Sequence, residues 1–186
     1  MNLRRLRHRL LLAILASCFC VPAMGDAVSD EDVKLALIYK ITRFITWPTA
    51  GDQSSAPFRF CLAENTIFEL AQDRLTGRRI RDRDIEVHLL SDDAVDLSDQ
   101  CDVFYMARLK KDRVSQYLAM VAGQPVLTVS DVPDFAKNGG MIGLSTRSQK
   151  VGIKINVAAY ESSDLVVSSQ LLELADLIDD RRSRRK

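Results

Sequence analysis

Phe58-Arg59-Phe60-Cys61-Leu62, then Thr66-Ile67-Phe68-Glu69-Leu70-Ala71-Gln72-Asp73-Arg74-Leu75, then Ile85-Glu86-Val87-His88-Leu89-Leu90, is the stretch that decides the fold. The first run is short and almost wholly apolar, as a buried strand is. The second repeats apolar residues at helical spacing and ends near Gly77. The third is a second strand, and strand, helix and strand in that order assemble most simply as a β-α-β unit.

The pattern continues outward in both directions. Residues 103–106 and 126–129 read as further strands around a helix that bears Val114, Tyr117, Leu118 and Val121 and stops at Gly123 before Pro125. Residues 133–137 suit a short helical piece with Asn138-Gly139-Gly140 as a left-handed exit. Residues 141–144 and 151–157 alternate around a polar turn and should pair as a hairpin. Residues 158–161 suit a short helix, and Ser168 is placed to cap a last amphipathic helix bearing Leu171, Leu172, Ala175 and Ile178. Toward the amino end, Ser29 to Asp32 supply a cap and first-turn acids, and Val33, Leu37, Ile41 and Phe44 mark a helical stripe up to Pro48. Leu35, Ile38, Tyr39 and Ile45 lie off that stripe, so the helix is either sandwiched within the monomer or shares a face with another subunit. The expectation is an α/β fold: a single layered domain over residues 26–180, with a mixed sheet of about six strands flanked by about five helices.

Length and charge narrow the function. A chain of 186 residues with 47% hydrophobic and 27% charged residues fits one globular domain, and no repeat period is present. The net charge of +1 conceals a division. Four bases, Arg4, Arg5, Arg7 and Arg9, precede an apolar run, and five more form the tail Arg181, Arg182, Arg184, Arg185 and Lys186. With those nine set aside, seventeen bases face twenty-five acids, a balance of −8 that disfavours nucleic acid as a partner. The four arginines, the uncharged residues 10–21 and the exit Pro22-Ala23-Met24-Gly25 form an export-signal pattern over residues 1–25. Cleavage near Gly25 is preferred because the apolar run continues past Cys18; lipoprotein processing at Cys18, within Leu15-Ala16-Ser17-Cys18, is the alternative. The expected location is the periplasm. For the basic tail, residues 181–186, a solubilising terminus competes with contact to anionic headgroups or an acidic partner.

Chemistry-bearing motifs are scarce. There is no glycine-rich phosphate loop and no nucleophile elbow, and His88 is the only histidine after the signal, so a hydrolytic triad lacks a base. His88 is expected to be a buried strand residue. Asp92-Asp93 and Asp179-Asp180 lack calcium-loop spacing, and two cysteines with one histidine at wide separation form no zinc signature, so neither metal nor cofactor is expected. Gly139-Gly140 and Trp47-Pro48 read as turn and packing devices. Cys61 and Cys101 remain as an even pair outside the signal; an oxidising compartment allows a bridge between them, and two buried thiols are the alternative.

In order, these features resemble the YfiR family of exported bacterial proteins. Residues 33–40 with Tyr39, the stretch 44–48 ending in Trp47-Pro48, and Phe58-Arg59-Phe60-Cys61 look like that family's beginning. Cys101-Asp102-Val103-Phe104, Pro125 to Asp131, Phe135 with Gly139-Gly140-Met141-Ile142, Ile155-Asn156, and Ser168-Ser169 with Leu171-Leu172 follow its order. Ala63, where the family commonly has glycine, and Gly152 with Lys154 depart from it. The resemblance implies a periplasmic repressor, not an enzyme. It would bind the periplasmic domain of a YfiN-like inner-membrane diguanylate cyclase, lower cyclic di-GMP and so regulate biofilm formation. An OmpA-like outer-membrane lipoprotein would sequester it, reduction of its disulfide would weaken it, and it would form a homodimer. A periplasmic small-ligand sensor feeding a histidine kinase or other membrane receptor is the second reading, and an unrecognised enzyme the third.

Overall fold

The computed structural model describes residues 28–48, 56–90, 97, 100–147 and 150–178. The export-signal pattern, the two paired-aspartate runs and the basic tail lie outside them.

The chain runs α1 (Asp30–Thr42), β1 (Ile45–Thr46), β2 (Phe58–Leu62), a 3-10 turn (Asn65–Ile67), α2 (Phe68–Leu75), β3 (Arg79–Ile80), β4 (Arg83–Leu89), β5 (Val103–Tyr105) and α3 (Lys111–Met120). It continues with β6 (Leu127–Ser130), a second 3-10 turn (Phe135–Asn138), β7 (Ile142–Arg147), β8 (Lys150–Asn156), α4 (Val157–Glu161), β9 (Val166–Val167), α5 (Ser169–Glu173) and β10 (Asp176–Ile178). Eight strands form one mixed sheet in the order β10-β8-β7-β6-β5-β2-β4-β3, and β1 pairs with β9 in a separate ribbon. The fold is α/β, as expected, with two more sheet strands than the sequence suggested.

The β-α-β unit is present: β2 and β4 pair in parallel through Phe58–Ile85 to Leu62–Leu89. The chain then crosses to the other side of β2, where β5 pairs in parallel through Phe60–Val103. The order therefore reverses at β2 and β5, and helices cover both faces there. Phe58, Phe60 and Leu62 join the larger core with Leu35 and Ile38 of α1 and Ala71 and Leu75 of α2. Cys61 and Phe104 point the other way, to Val114 and Tyr117 of α3. Phe104 and Tyr117 meet edge to face in the manner aromatic rings prefer, their centroids 5.1 Å apart.

Cys61 and Cys101 are bonded, with Cα atoms 5.7 Å apart and both residues buried. The bridge ties the middle strand to the loop entering β5 across 40 residues.

Several expectations are corrected. The stripe through Val33 is not the one α1 buries: Val33 is exposed, whereas Leu35, Ile38 and Ile41 are buried, a turn of the helix set by charged residues at its first turn. Ile45 and Thr46 leave the helix to pair with Val167 and Val166. The last helix ends at Glu173, and Asp176–Ile178 pairs in parallel with Lys154 to Asn156 as an edge strand. Its apolar period serves a strand because the open edge of β8 offers backbone partners that a helix would leave unused. His88 is on a strand, as expected, but its side chain is exposed beside Glu86 at 3.4 Å, on the face of β4 opposite Ile85, the residue that packs with Ala71 and Leu75 of α2. No helix among the described residues is long and apolar enough to cross a membrane.

One glycine is fixed by close approach. A Cβ on Gly140 would lie 2.1 Å from the Phe135 ring, and Gly139 beside it has φ +99°. Gly140→Ala should therefore destabilise by about 1–3 kcal/mol through displacement of Phe135, measured by chemical denaturation, whereas Gly77→Ala should cost only the strain of a left-handed backbone.

Candidate functional site

Two polar corners organise the molecule, one at each end of the central strands. At the amino end, Asp102 follows Cys101 and is buried. Its Oδ2 accepts from the Arg59 amide at 2.7 Å and from the Arg83 guanidinium at 2.8 Å, while Arg83 also donates to the carbonyls of Ala56 and Pro57. The Asp102 carbonyl accepts from Trp47 Nε1 at 3.1 Å and from the Leu127 amide at 3.0 Å. Trp47 meets Phe58 edge to face at 5.0 Å, and Arg83 lies over the same ring. Trp47 thus holds the chain entering β2, and Pro48 beside it is exposed.

At the carboxyl end, the first turn of α1 enters a cluster of charges. Lys34 Nζ, its side chain only 7% exposed, donates to Asp131 Oδ2 at 2.7 Å, Asp30 Oδ2 at 2.6 Å and Glu31 Oε1 at 3.3 Å. Arg108 caps the group from outside with Nε and NH2 on Glu31 Oε1 at 3.1 and 2.7 Å. Its backbone N–H donates to Asp131 Oδ1 at 3.0 Å, which holds Arg108 at φ 54°. Tyr105 hydroxyl donates to Glu31 Oε2 at 3.4 Å. Burial alone would depress the Lys34 ammonium, but hydrogen bonds to Asp131 and Asp30 and the charges of Asp131 and Glu31 outweigh it and raise its pKa. Burial raises the Tyr105 phenol, and the neighbouring carboxylates add to the effect. Both therefore stay protonated at neutral pH, and the arrangement fixes α1 on the sheet without presenting a base there.

Beside this cluster, Val28, Asp32, Ala36, Tyr39, Arg74, Leu75 and Arg78 line a groove of about 280 Å³ between α1 and α2. Tyr39 donates to the Arg79 carbonyl at 3.2 Å, with the Arg78 guanidinium 5.2 Å from its ring centre. Asp32 closes a capping box with Ser29 and pairs with Arg74 at 2.6 Å. The hydrogen bond from Ser29 and then that from Arg74 lower its carboxyl pKa to about 2.

The remaining residues singled out in the sequence divide into one group and several separate positions. Phe135, Gly139, Gly140, Met141 and Asn156 come together: Asn156 Nδ2 donates to the Ala136 carbonyl at 2.7 Å, its Oδ1 accepts from the Ala159 amide and caps α4, and its own amide donates to the Met141 carbonyl. Ser168 caps α5 by accepting from the Leu171 amide, and Ser169 beside it is exposed. Tyr39 and Trp47 stand apart from this group. A crevice of about 310 Å³ opens beside it, lined by Asp134, Phe135, Lys137, Ser145 and Lys154 among others. Among the described residues no three His, Cys, Asp or Glu side chains gather as a metal site.

A covered β2–β5 junction with its disulfide, the Asp102 corner and the glycine pair folded against Phe135 occupy one continuous span, and a family model matches that span over residues 31–176. The chain belongs to the YfiR/HmsC-like family. No curated protein matches it. Members of the YfiR/HmsC-like family are periplasmic regulators without enzymatic activity, and the match runs from α1 to the start of β10.

Sequence reasoning assigned no role to Lys34, Asp131, Arg108 or Asp102. Lys34 and Asp131 stood inside quoted motifs, and the signal available was their opposite charge flanked by apolar residues that had to be buried.

Lys34→Met should cost about 3 kcal/mol, because the buried Glu31 and the partly buried Asp131 lose the cation between them, and urea denaturation reads this directly. Asp32 has a lowered pKa, so its stabilising effect is complete above the ordinary carboxylate range and is lost as pH falls from about 4 toward 2. Asp32→Ala should flatten the acid limb of a melting-temperature profile over that window.

Proposed function

We propose that this protein is an exported inhibitor that binds the periplasmic domain of a YfiN-like inner-membrane diguanylate cyclase and lowers cyclic di-GMP. Family membership across residues 31–176 is the observation that carries this reading. The export pattern over residues 1–25 and the oxidised Cys61–Cys101 bridge agree with it. Inhibition needs no catalysis: the protein must bind one conformation of the cyclase more tightly than the other, and equal affinity would shift nothing. Sequestration by an OmpA-like lipoprotein and assembly as a homodimer belong to the same proposal.

Redox control would act through folding. Both cysteines are at most 1% exposed, so a reductant reaches the bond only when the β2–β5 corner opens. Loss of the bridge then removes a constraint on the unfolded chain and reduces the folded population available to the cyclase. The crevice beside Lys154 supports a small-ligand sensor as the second reading; its volume lies at the lower end of ligand pockets.

A strain lacking this protein should show raised cyclic di-GMP, restored by the wild-type chain; an unchanged or lower level sinks the repressor reading. Cys61→Ser should destabilise the purified protein by about 4 kcal/mol or less, the loop-closure value for some 40 residues. Reductant should lower the melting temperature of the wild type and leave the variant unmoved, and equal melting with and without reductant would remove the redox step.

A further inference from the structure

Arg78 lines the groove between α1 and α2, and the contacts that hold it there use only part of its hydrogen-bonding capacity. Its Nε donates to the Arg74 carbonyl at 2.6 Å, and its guanidinium carbon lies 5.2 Å from the centre of the Tyr39 ring. That ring is itself held by its hydroxyl on the Arg79 carbonyl. Among the described residues, the two terminal nitrogens of Arg78 meet no acceptor. Arg74 differs, because its charge is shared between Asp32 at 2.6 Å and Asp73 at 2.7 Å. Asp32 in turn accepts from Ser29 in the capping box. Of the charged groups lining the groove, Asp32 and Arg74 offset each other and the Arg78 cation remains, already oriented.

The rest of the lining is apolar. Val28 is 75% exposed and Ala36 is exposed, with the buried Leu75 beside them, so a chain laid along the groove would take apolar surface out of water. The volume of about 280 Å³ suits a small ligand. We infer that the α1–α2 groove binds an aliphatic monocarboxylate, its carboxylate taking both terminal nitrogens of Arg78 and its chain covering Ala36 and Val28. A planar guanidinium matches a carboxylate in this paired geometry. A cation would be repelled by Arg78, and a neutral chain would leave its donors unpaired. A phosphate dianion would carry more charge than one guanidinium offsets, with Asp32 in the same groove. The inference stands independently of the cyclase reading and concerns a different place from the crevice beside Lys154.

The experiment is isothermal titration of the purified protein with octanoate, and with octylammonium and acetate as probes of charge and chain. Octanoate should saturate a single site with a Kd below about 1 mM, more weakly as salt rises. Arg78→Gln should weaken it about tenfold or more, the loss of a hydrogen bond between charged groups. Arg78→Lys keeps the charge and should still weaken it several-fold, since an ammonium does not reproduce the fork. Ala36→Leu should also weaken it by filling the groove, and leucine is a good helix former, so α1 is kept. Lys150→Gln, which removes a cation elsewhere, should leave binding unchanged. Circular dichroism and melting establish that each variant is folded. Absence of saturable octanoate binding below about 1 mM would overturn the inference. So would equal binding of acetate or octylammonium, or octanoate binding indifferent to Arg78→Gln or to Ala36→Leu. None of these outcomes alters the cyclic di-GMP measurement.

Discussion

Asp102 is the residue on which the order of the central strands depends. One carboxylate takes the Arg59 amide of β2 and the Arg83 guanidinium of β4, while the same residue's carbonyl takes Trp47 and the amide of Leu127 entering β6. A buried carboxylate is tolerated only when fully partnered, so every partner must be in place at once. The adjacent Cys101 bonds to Cys61, placing a covalent and an ionic tie at the point where the chain reverses from β4 to β5. Long-range strand order is the costly part of an α/β fold, because distant segments must close before their contacts stabilise them. Two consecutive residues, Cys101 and Asp102, meet that cost at one place.

The opposite end of the sheet is organised by charge as well, but there the buried group is a cation. Lys34 sits among Asp30, Glu31 and Asp131, with Arg108 outside. Because Glu31 and Lys34 must face this cluster, the helix rotates so that Leu35, Ile38 and Ile41 meet the sheet and Val33 faces solvent. The polar contacts therefore select which apolar stripe is used, a specificity role that hydrophobic burial alone would not supply. The same rotation places Asp32, Ala36 and Tyr39 along the groove beside α2.

For a regulator acting by binding, the consequence is a division between a rigid body and adaptable edges. The β2–β5 centre is covered on both faces and cross-linked, whereas β10 lies at an edge with leucines in water. Surfaces that meet a partner or a membrane are drawn from such edges, since central strands have no backbone groups to spare. The residues singled out in the sequence mostly secure the body: Trp47 anchors the entry to β2, Gly140 admits Phe135, and Asn156 caps α4.

By itself the sequence determined the α/β class, the β-α-β unit, the hairpin of β7 and β8 and the caps at Ser29, Asn138-Gly139 and Ser168, because these rest on local periodicity, turn chemistry and near-neighbour hydrogen bonds. Cysteine count and compartment made the Cys61–Cys101 bridge an open possibility, and only the 5.7 Å approach of the two Cα atoms decided it. Tertiary structure alone decided that residues 176–178 form a strand, since their period suits a helix until β8 offers an edge. It alone exposed His88, because which face of β4 a helix covers is set by the crossover and not by alternation. The rotation of α1 and the clusters at Lys34 and Asp102 likewise join residues as far as 97 positions apart, and such pairings exist only once the sheet has brought its strand ends together.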